Sequence, residues 1–144
     1  MAKPHKQNVI AWILIVIFVF VALGLAAALA VVFAPIKLTL HEDSYTLSFL
    51  FHKESAEYDD LEEFFLLDDT YTSERIKSYG GISKEFGTYR NDLYGEHFRL
   101  TCSENKHNYI LFKRTDGAIT VFNLKSVAAT EKLYEDLVKK LSER

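Results

Sequence analysis

The chain is 144 residues long with a formal net charge of −3, and its composition changes abruptly near Pro35. Residues 1–36 contain no Asp or Glu, whereas residues 37–144 hold all 20 acidic residues and 15 of the 17 basic ones. This acidic balance repels nucleic acid and anionic lipid headgroups, and no basic patch is evident in the sequence to override it. The composition therefore predicts one acidic domain behind an apolar appendage, with no nucleic-acid partner.

The N-terminal region carries 26 consecutive residues, Val9 to Ala34, without a charged side chain. As an α-helix this segment is about 39 Å long, which exceeds the roughly 30 Å of hydrocarbon in a bilayer. It is apolar on every side, unlike the core helix of a soluble protein. The sequence predicts a transmembrane helix over residues 9–34, embedded in the lipid bilayer and preceded by a short basic N-terminal tail of residues 1–8.

A cleaved signal peptide is the alternative interpretation of this segment. Ala28 and Ala30 form an A-x-A arrangement after an apolar stretch and a basic start. The apolar residues continue through Phe33, however, and the segment is longer than the apolar region of a typical signal peptide. A retained single-pass anchor in the cell membrane is therefore favoured, and cleavage stays open.

The orientation of the anchor depends on the basic residues that flank it. Lys3 and Lys6 precede the helix and Lys37 follows it. Because Lys and Arg are enriched on the cytoplasmic side of membrane helices, the N-terminus is weakly favoured inside and the domain outside.

The domain, residues 36–144, begins with alternating apolar and polar residues. The segments 36–41 and 44–51 alternate in this way on either side of a polar turn, which predicts a β-hairpin. The segment 61–69 is short and aromatic, so a strand is favoured over a helix.

Three later segments, near 96–102, 108–114 and 118–124, also alternate. Asp116-Gly117 between the last two predicts a hairpin turn, because glycine accepts a positive φ. The segment 130–141 instead has helical spacing, with Leu133, Leu137, Val138 and Leu141 on one face. We expect a mainly β domain, a barrel or sandwich, that is closed by a C-terminal amphipathic helix.

The segment Tyr79 to Leu100 holds four of the six glycines. It contains neither of the glycine spacings that bind nucleotides. Its glycines are expected in turns and bulges of a curved sheet. Tyr89 and Tyr94 are expected to pack in the core or its rim, with ligand contact as the less favoured role.

No catalytic, cofactor or metal site is predicted. The five histidines show no metal-binding spacing, and the eight carboxylates between Glu54 and Asp69 lack the calcium-loop pattern. These acidic residues are expected to form a solvated or partner-facing surface. Cys102, the only cysteine, alternates with Phe98 and Leu100, so a buried thiol is favoured over a nucleophile.

Three segments of the domain carry a family resemblance: "YDDLEEFFLL" (58–67), "GGISKEFGTYRNDLYGEHFRL" (80–100) and "NLKSVAATEKLYEDL" (123–137). In these segments the domain resembles the bacterial pleckstrin-homology (PH-like) domain family, in its small membrane-anchored type. The resemblance implies about seven strands in a strongly bent sheet capped by the C-terminal helix, and no general catalytic activity. Phosphoinositide binding is not carried over with the resemblance, because no basic residue lies between His41 and His52 at the first hairpin turn.

The sequence thus favours a non-enzymatic, membrane-anchored module that binds a protein or peptide of unknown identity at the membrane surface. Two alternatives from other classes stay open: a membrane-anchored hydrolase without a recognisable motif, and a domain that binds a lipid or small apolar ligand. The hydrolase needs a constellation of ionisable groups. The lipid-binding domain needs a sizeable cavity.

Overall fold

The computed structural model describes residues 5–68, 73–80, 84–102 and 107–144. The chain divides into two compact units, Met1–Phe33 and Ala34–Arg144. The first contains helix α1, His5–Phe33. Every side chain from Val9 to Ala30 is exposed, and this segment is long and apolar enough to cross a membrane. A signal sequence near the N-terminus meets the same criteria of length and composition.

The second unit is mainly β-structure with one C-terminal helix, which confirms the expected fold class. Its first three strands are β1 (Lys37–Leu40), β2 (Ser44–Phe49) and β3 (His52–Glu57). They form an antiparallel sheet in the order β1-β2-β3, which we call the small sheet. A short 3₁₀ helix, Tyr58–Asp60, follows β3.

The remaining six strands form the large sheet. They are β4 (Leu61–Leu67), β5 (Glu74–Gly80), β6 (Lys84–Asn91), β7 (Gly95–Cys102), β8 (Tyr109–Arg114) and β9 (Ile119–Phe122). Their order is β4-β8-β9-β7-β6-β5, so β4 and β5 are the edges. Neighbouring strands are antiparallel, except that β9 runs parallel to β7.

The main hydrophobic core joins the small sheet, one face of the large sheet and the C-terminal helix. We call that face of the large sheet the inner face and the opposite one the outer face. In β2, Tyr45, Leu47 and Phe49 are buried while the residues between them are half-buried, as the two-residue period of a strand requires. The ring of Tyr45 meets Phe112 of the large sheet edge-on, with centroids 4.8 Å apart.

Helix α2, Val127–Ser142, begins three residues before the expected start. The reason is a cap at Ser126, whose Oγ accepts a hydrogen bond from the backbone N–H of Ala129 at 3.2 Å. Such a cap satisfies one of the N–H groups that the first turn leaves unpaired.

The apolar stripe of α2 differs from the expectation at one position. Leu137 is fully buried, and Leu133 and Leu141 pack against the core. Val138 is 42% exposed. Tyr134 faces the core instead, with its ring 5.6 Å from that of Phe64.

The predicted hairpins are present. β1 pairs with β2, and β8 pairs with β9 through a turn in which Gly117 has φ +83°. The segment 61–69 contributes strand β4, as favoured. The described residues form nine strands in two sheets, where the family resemblance implied about seven in one bent sheet. The unexpected strand β3, "HKESAE", is polar, so it shows no apolar alternation.

Candidate functional site

The four histidines whose side chains are described lie in different parts of the domain. His41 follows β1, His52 begins β3, His97 lies in β7 and His107 precedes β8. The side chain of His5 falls outside the described residues. Within the described part of the chain, no group of three or more His, Cys, Asp or Glu side chains is arranged to hold a metal ion.

His97 forms a polar pair with Ser73 beside the outer face of the large sheet. Its Nδ1 donates to the carbonyl oxygen of Gly95 at 3.0 Å, and its Nε2 lies 3.3 Å from Ser73 Oγ, which donates to it. Burial lowers the pKa of His97 below its usual value; the bond to Gly95 opposes this shift, and the charge of Arg99 adds to it. A serine hydroxyl on an oriented, neutral imidazole is the geometry of an activated nucleophile.

Arg99 lies next to this pair, between two tyrosine rings. Its Cζ is 5.2 Å from the ring centroid of Tyr89 and 5.2 Å from that of Tyr109. A guanidinium nitrogen also donates to the Tyr109 hydroxyl at 3.3 Å. Tyr89 is 2% exposed, and Tyr94 is half-buried with its ring 6.4 Å from His97. Tyr89 and Tyr94 therefore contribute to packing on this face of the large sheet.

Glu54 is the first residue of the acidic stretch, Glu54 to Asp69, and its carboxylate points between the two sheets. It accepts hydrogen bonds from Thr120 Oγ1 at 3.2 and 3.0 Å, and it lies 3.4 Å from a guanidinium nitrogen of Arg114. His52 Nε2 is 4.0 Å from the Glu54 carboxylate, which exceeds hydrogen-bond distance. The cluster ties β3 to β8 and β9, and it contains no hydrogen-bonded histidine–acid pair.

Tyr45 borders this cluster with a buried hydroxyl that has no hydrogen-bond partner among the described residues. Burial, with a further contribution from the charge of Glu54, raises the pKa of Tyr45 to about 12. The phenol therefore stays neutral at physiological pH.

The other described carboxylates of the acidic stretch are exposed. Lys113 Nζ lies 3.1 Å from Glu62 and 3.5 Å from Glu63, and the hydrogen bond to Glu62 is the main reason that the pKa of Lys113 is raised. Arg144 lies 3.4 Å from Asp59. Asp69 falls outside the described residues. This stretch thus forms a solvent-facing surface that nearby bases partly neutralise.

Cys102 is buried at the end of β7, as expected. Its backbone N–H donates to the side chain of Asn123 at 2.7 Å. The sequence analysis used Asn123 only as part of the family resemblance and assigned it no structural role, although an asparagine just after a strand often bonds to nearby backbone.

The described glycines of the segment 79–100 have structural roles in the large sheet. At Gly87, with φ +147°, an added Cβ would lie 2.2 Å from the carbonyl oxygen of Lys77 in the neighbouring strand β5. Gly95 has φ +64° at the β6–β7 turn. Gly80 ends β5, and Gly81 lies outside the described residues.

The edge strand β4 exposes two large apolar side chains. Phe65 is 43% exposed and Leu66 is 36% exposed, and they point to opposite sides of the strand. From Glu63 to Leu67 the register with β8 is continuous. Since β4 pairs only with β8 among the described strands, its other side offers backbone groups to a further strand.

No protein-family model, curated protein or solved structure matches the chain. The resemblance to bacterial PH-like domains therefore stays a prediction that rests on the segments quoted above.

Proposed function

We propose that the protein is a non-enzymatic, membrane-anchored module that binds an extended segment of a partner protein by adding it to strand β4. The observation that carries this proposal is a seven-residue edge strand with two exposed apolar side chains, Phe65 and Leu66. In strand addition, backbone hydrogen bonds give affinity and alternate side chains give specificity. The sequence likeness to PH-like domains supports the same class of function.

The opposite edge of the large sheet is less suited to this role. Strand β5 has a register shift between Arg75 and Lys77, and bulges and basic side chains are features that protect an edge from pairing. Among the side chains of β5 that the structure describes, one large apolar side chain is exposed, that of Ile76, at 45%. Strand β1 of the small sheet has only four residues.

The charge near β4 indicates the kind of segment that fits. Glu62 and Glu63 lie on the strand and share the single base Lys113. A partner segment that alternates apolar and basic residues would complement both the exposed apolar side chains and the acidic side chains of β4.

Site-specific photocrosslinking in the native membrane tests this proposal. A photoreactive phenylalanine analogue is placed at Phe65 in one variant and at Ile76 in a matched variant on the opposite edge. We expect a discrete adduct from position 65 and none from position 76, together with slower amide hydrogen exchange in β4 than in the purified protein. Equal adducts from both positions, or none from position 65, would contradict binding at β4.

The proposal includes a retained anchor with the N-terminus inside and the domain outside. Its support is the apolar helix α1 and the balance of flanking lysines. Protease added to intact cells should digest the domain, and the mature chain should have a mass that includes residues 1–30. Protection of the domain would reverse the orientation, and a mass beginning near Val31 would indicate a cleaved signal sequence instead.

A second candidate function, a membrane-anchored hydrolase, is favoured by one observation, the Ser73–His97 pair. Ser73 Oγ would act as the nucleophile and His97 as its base, with Gly95 orienting the ring. A fluorophosphonate probe should label the wild-type protein and fail to label Ser73→Ala. Absence of labelling in the wild type, under conditions that label a known serine hydrolase, would count against this candidate.

A further inference from the structure

The turn between β2 and β3 consists of two apolar residues, Leu50 and Phe51. Phe51 is 99% exposed. Leu50 has φ +52°, a left-handed conformation that glycine adopts far more readily than leucine. Leu50 packs against the core, whereas no residue in the described part of the domain covers the Phe51 ring.

This turn lies at the end of the small sheet where the chain enters the domain. Lys37, the first residue of β1, pairs with Ser48, and Phe49 pairs with His52 across the turn. Ile36 is already buried in the core, at 7% exposure. Only Ala34 and Pro35 therefore connect the last residue of α1 to a fixed point of the domain, a length of about 10 Å when fully extended.

The outer surface of the small sheet has a charge gradient along its strands. At the entry end, Lys37 of β1 and Lys53 of β3 both pair with Ser48 and so lie in one cross-strand row, on either side of it. Both lysines are exposed, with no ion-pair partner among the described residues. The opposite end is acidic and exposed, with Glu42, Asp43 and Glu57. Between these two ends, the outer surface of the small sheet carries hydroxyl groups, including those of Thr46 and Ser55, whose oxygen atoms lie 2.9 Å apart.

We propose that Phe51, Lys37 and Lys53, which we call the basal tip, form a second membrane contact of this protein. The Phe51 ring enters the interface of the bilayer that α1 crosses, and the two ammonium groups meet anionic lipid headgroups. Aromatic side chains favour the headgroup level, and basic residues next to a membrane helix are attracted by anionic lipid. The acidic end of the sheet is repelled from the same surface.

A lipid surface fits the basal tip better than a protein partner because of its place in the chain. The tip lies at the end of the sheet where the chain enters the domain, and only two residues precede Ile36 after a helix that is long and apolar enough to cross a membrane. The acidic charge of the domain repels anionic lipid less at this end than at the other, because the gradient places the basic side chains here and salt screens distant charges. The inference rests on the retained anchor of the proposed function, but not on partner binding at β4.

Fluorescence of the full-length chain in lipid vesicles tests the proposal. All variants carry Trp12→Phe, which removes the only tryptophan of the chain. The test variant then introduces a single tryptophan as Phe51→Trp. The matched control is Glu42→Trp, an exposed turn residue at the other end of the β1–β2 hairpin. Vesicles contain either zwitterionic phosphatidylcholine alone or an admixture of phosphatidylserine, with brominated acyl chains as quencher. Resistance to alkaline extraction reports insertion of α1 separately.

In anionic vesicles, tryptophan at position 51 should emit at shorter wavelength and be quenched at least about twofold more than tryptophan at position 42. Adding Lys37→Gln and Lys53→Gln should reduce the ratio of inserted to free tip by about fivefold per lysine. Salt at about 1 M should remove the difference between the two lipid compositions.

Equal quenching at positions 51 and 42 in a chain that resists extraction would overturn the basal tip and leave the anchor intact. Quenching at position 51 that is the same with and without anionic lipid would overturn the role of the lysines. Loss of the chain on alkaline extraction would overturn both the anchor and the tip, without bearing on β4.

Discussion

The side-chain Oδ1 of Asn123 accepts a hydrogen bond from the backbone N–H of Cys102 at 2.7 Å. The backbone N–H of Asn123 in turn donates to the carbonyl oxygen of Leu100 at 3.1 Å. These bonds extend the contact between the parallel strands β7 and β9 beyond their last paired residues, Leu100 and Phe122. They do so where the chain leaves the sheet for α2, so one fully buried amide holds the end of β7 against the start of the helix connection.

Replacing Asn123 by alanine should lower the free energy of unfolding by about 2–3 kcal/mol. The buried N–H of Cys102 would lose its partner, and an unsatisfied buried donor costs about 1–3 kcal/mol before any cavity is counted. Urea unfolding in detergent micelles, followed by near-ultraviolet circular dichroism, measures the change. Ser48→Ala, at a half-buried hydroxyl of the small sheet, should stay within about 0.5 kcal/mol of the wild type. A similar effect of both substitutions would contradict the role of Asn123.

Gly87→Ala should destabilise the domain by at least about 3 kcal/mol, since the new Cβ would meet the Lys77 carbonyl oxygen and the φ is unfavourable for a side chain. Gly95→Ala is the matched control, because its φ is also positive but nothing lies within 4 Å of the added Cβ. It should cost about 1–2 kcal/mol. The difference between their thermal midpoints separates steric collision from backbone strain. Equal midpoints would show that strand β5 moves away from the added Cβ without a loss of stability.

Tyr45→Phe should leave stability at neutral pH unchanged or raise it by about 1 kcal/mol, because it removes a buried hydroxyl with no hydrogen-bond partner among the described residues. The pKa of Tyr45 in the folded protein is about 12, above that of an exposed tyrosine. The folded state therefore keeps the proton longer, and stability falls as pH rises from about 10 through 12. Urea unfolding at pH 7 and pH 11 should show a smaller loss in Tyr45→Phe. A parallel loss in both proteins would rule out Tyr45 as the cause.

His97 should titrate below the usual histidine range, because its burial disfavours the charged form. Its contribution to stability is then complete above about pH 6.5 and is lost as pH falls through the lowered pKa, where the unfolded chain binds the proton first. Nuclear magnetic resonance titration of the ring protons measures the pKa, and the spectrum of His97→Gln assigns the resonance. A pKa at or above the usual value would show that the ring is solvated.

The strands that the sequence predicted best are those with one buried face. In β2, apolar side chains alternate with polar ones because the strand separates core from solvent. Strand β3 was not predicted, because its sequence lacks this alternation of apolar and polar residues. Its inward residues include His52 and Glu54, which reach partners on the large sheet rather than an apolar core.

The candidate sites were less predictable than the elements that carry them. Ser73 and His97 are 24 residues apart in sequence, and their pairing depends on how the segment before β5 meets β7. The exposure of Phe65 and Leu66 follows from the position of β4 at an edge, which strand order decides. The sequence analysis also found no basic patch, because Lys37 and Lys53 are brought into one cross-strand row only when β1 and β3 both pair with β2.

Four features could be predicted from the amino-acid sequence alone: the long apolar helix, the acidic β domain behind it, the hairpins and the amphipathic C-terminal helix. These features follow from local hydrophobic periodicity and turn chemistry, which act between residues close in the chain. Four other features required the three-dimensional fold: the placement of β9 between β7 and β8, the inward orientation of Glu54, the open edge at β4, and the cross-strand row that contains Lys37 and Lys53. Each of these depends on contacts between distant segments, whose pairing is selected by the burial of the whole core rather than by any local pattern.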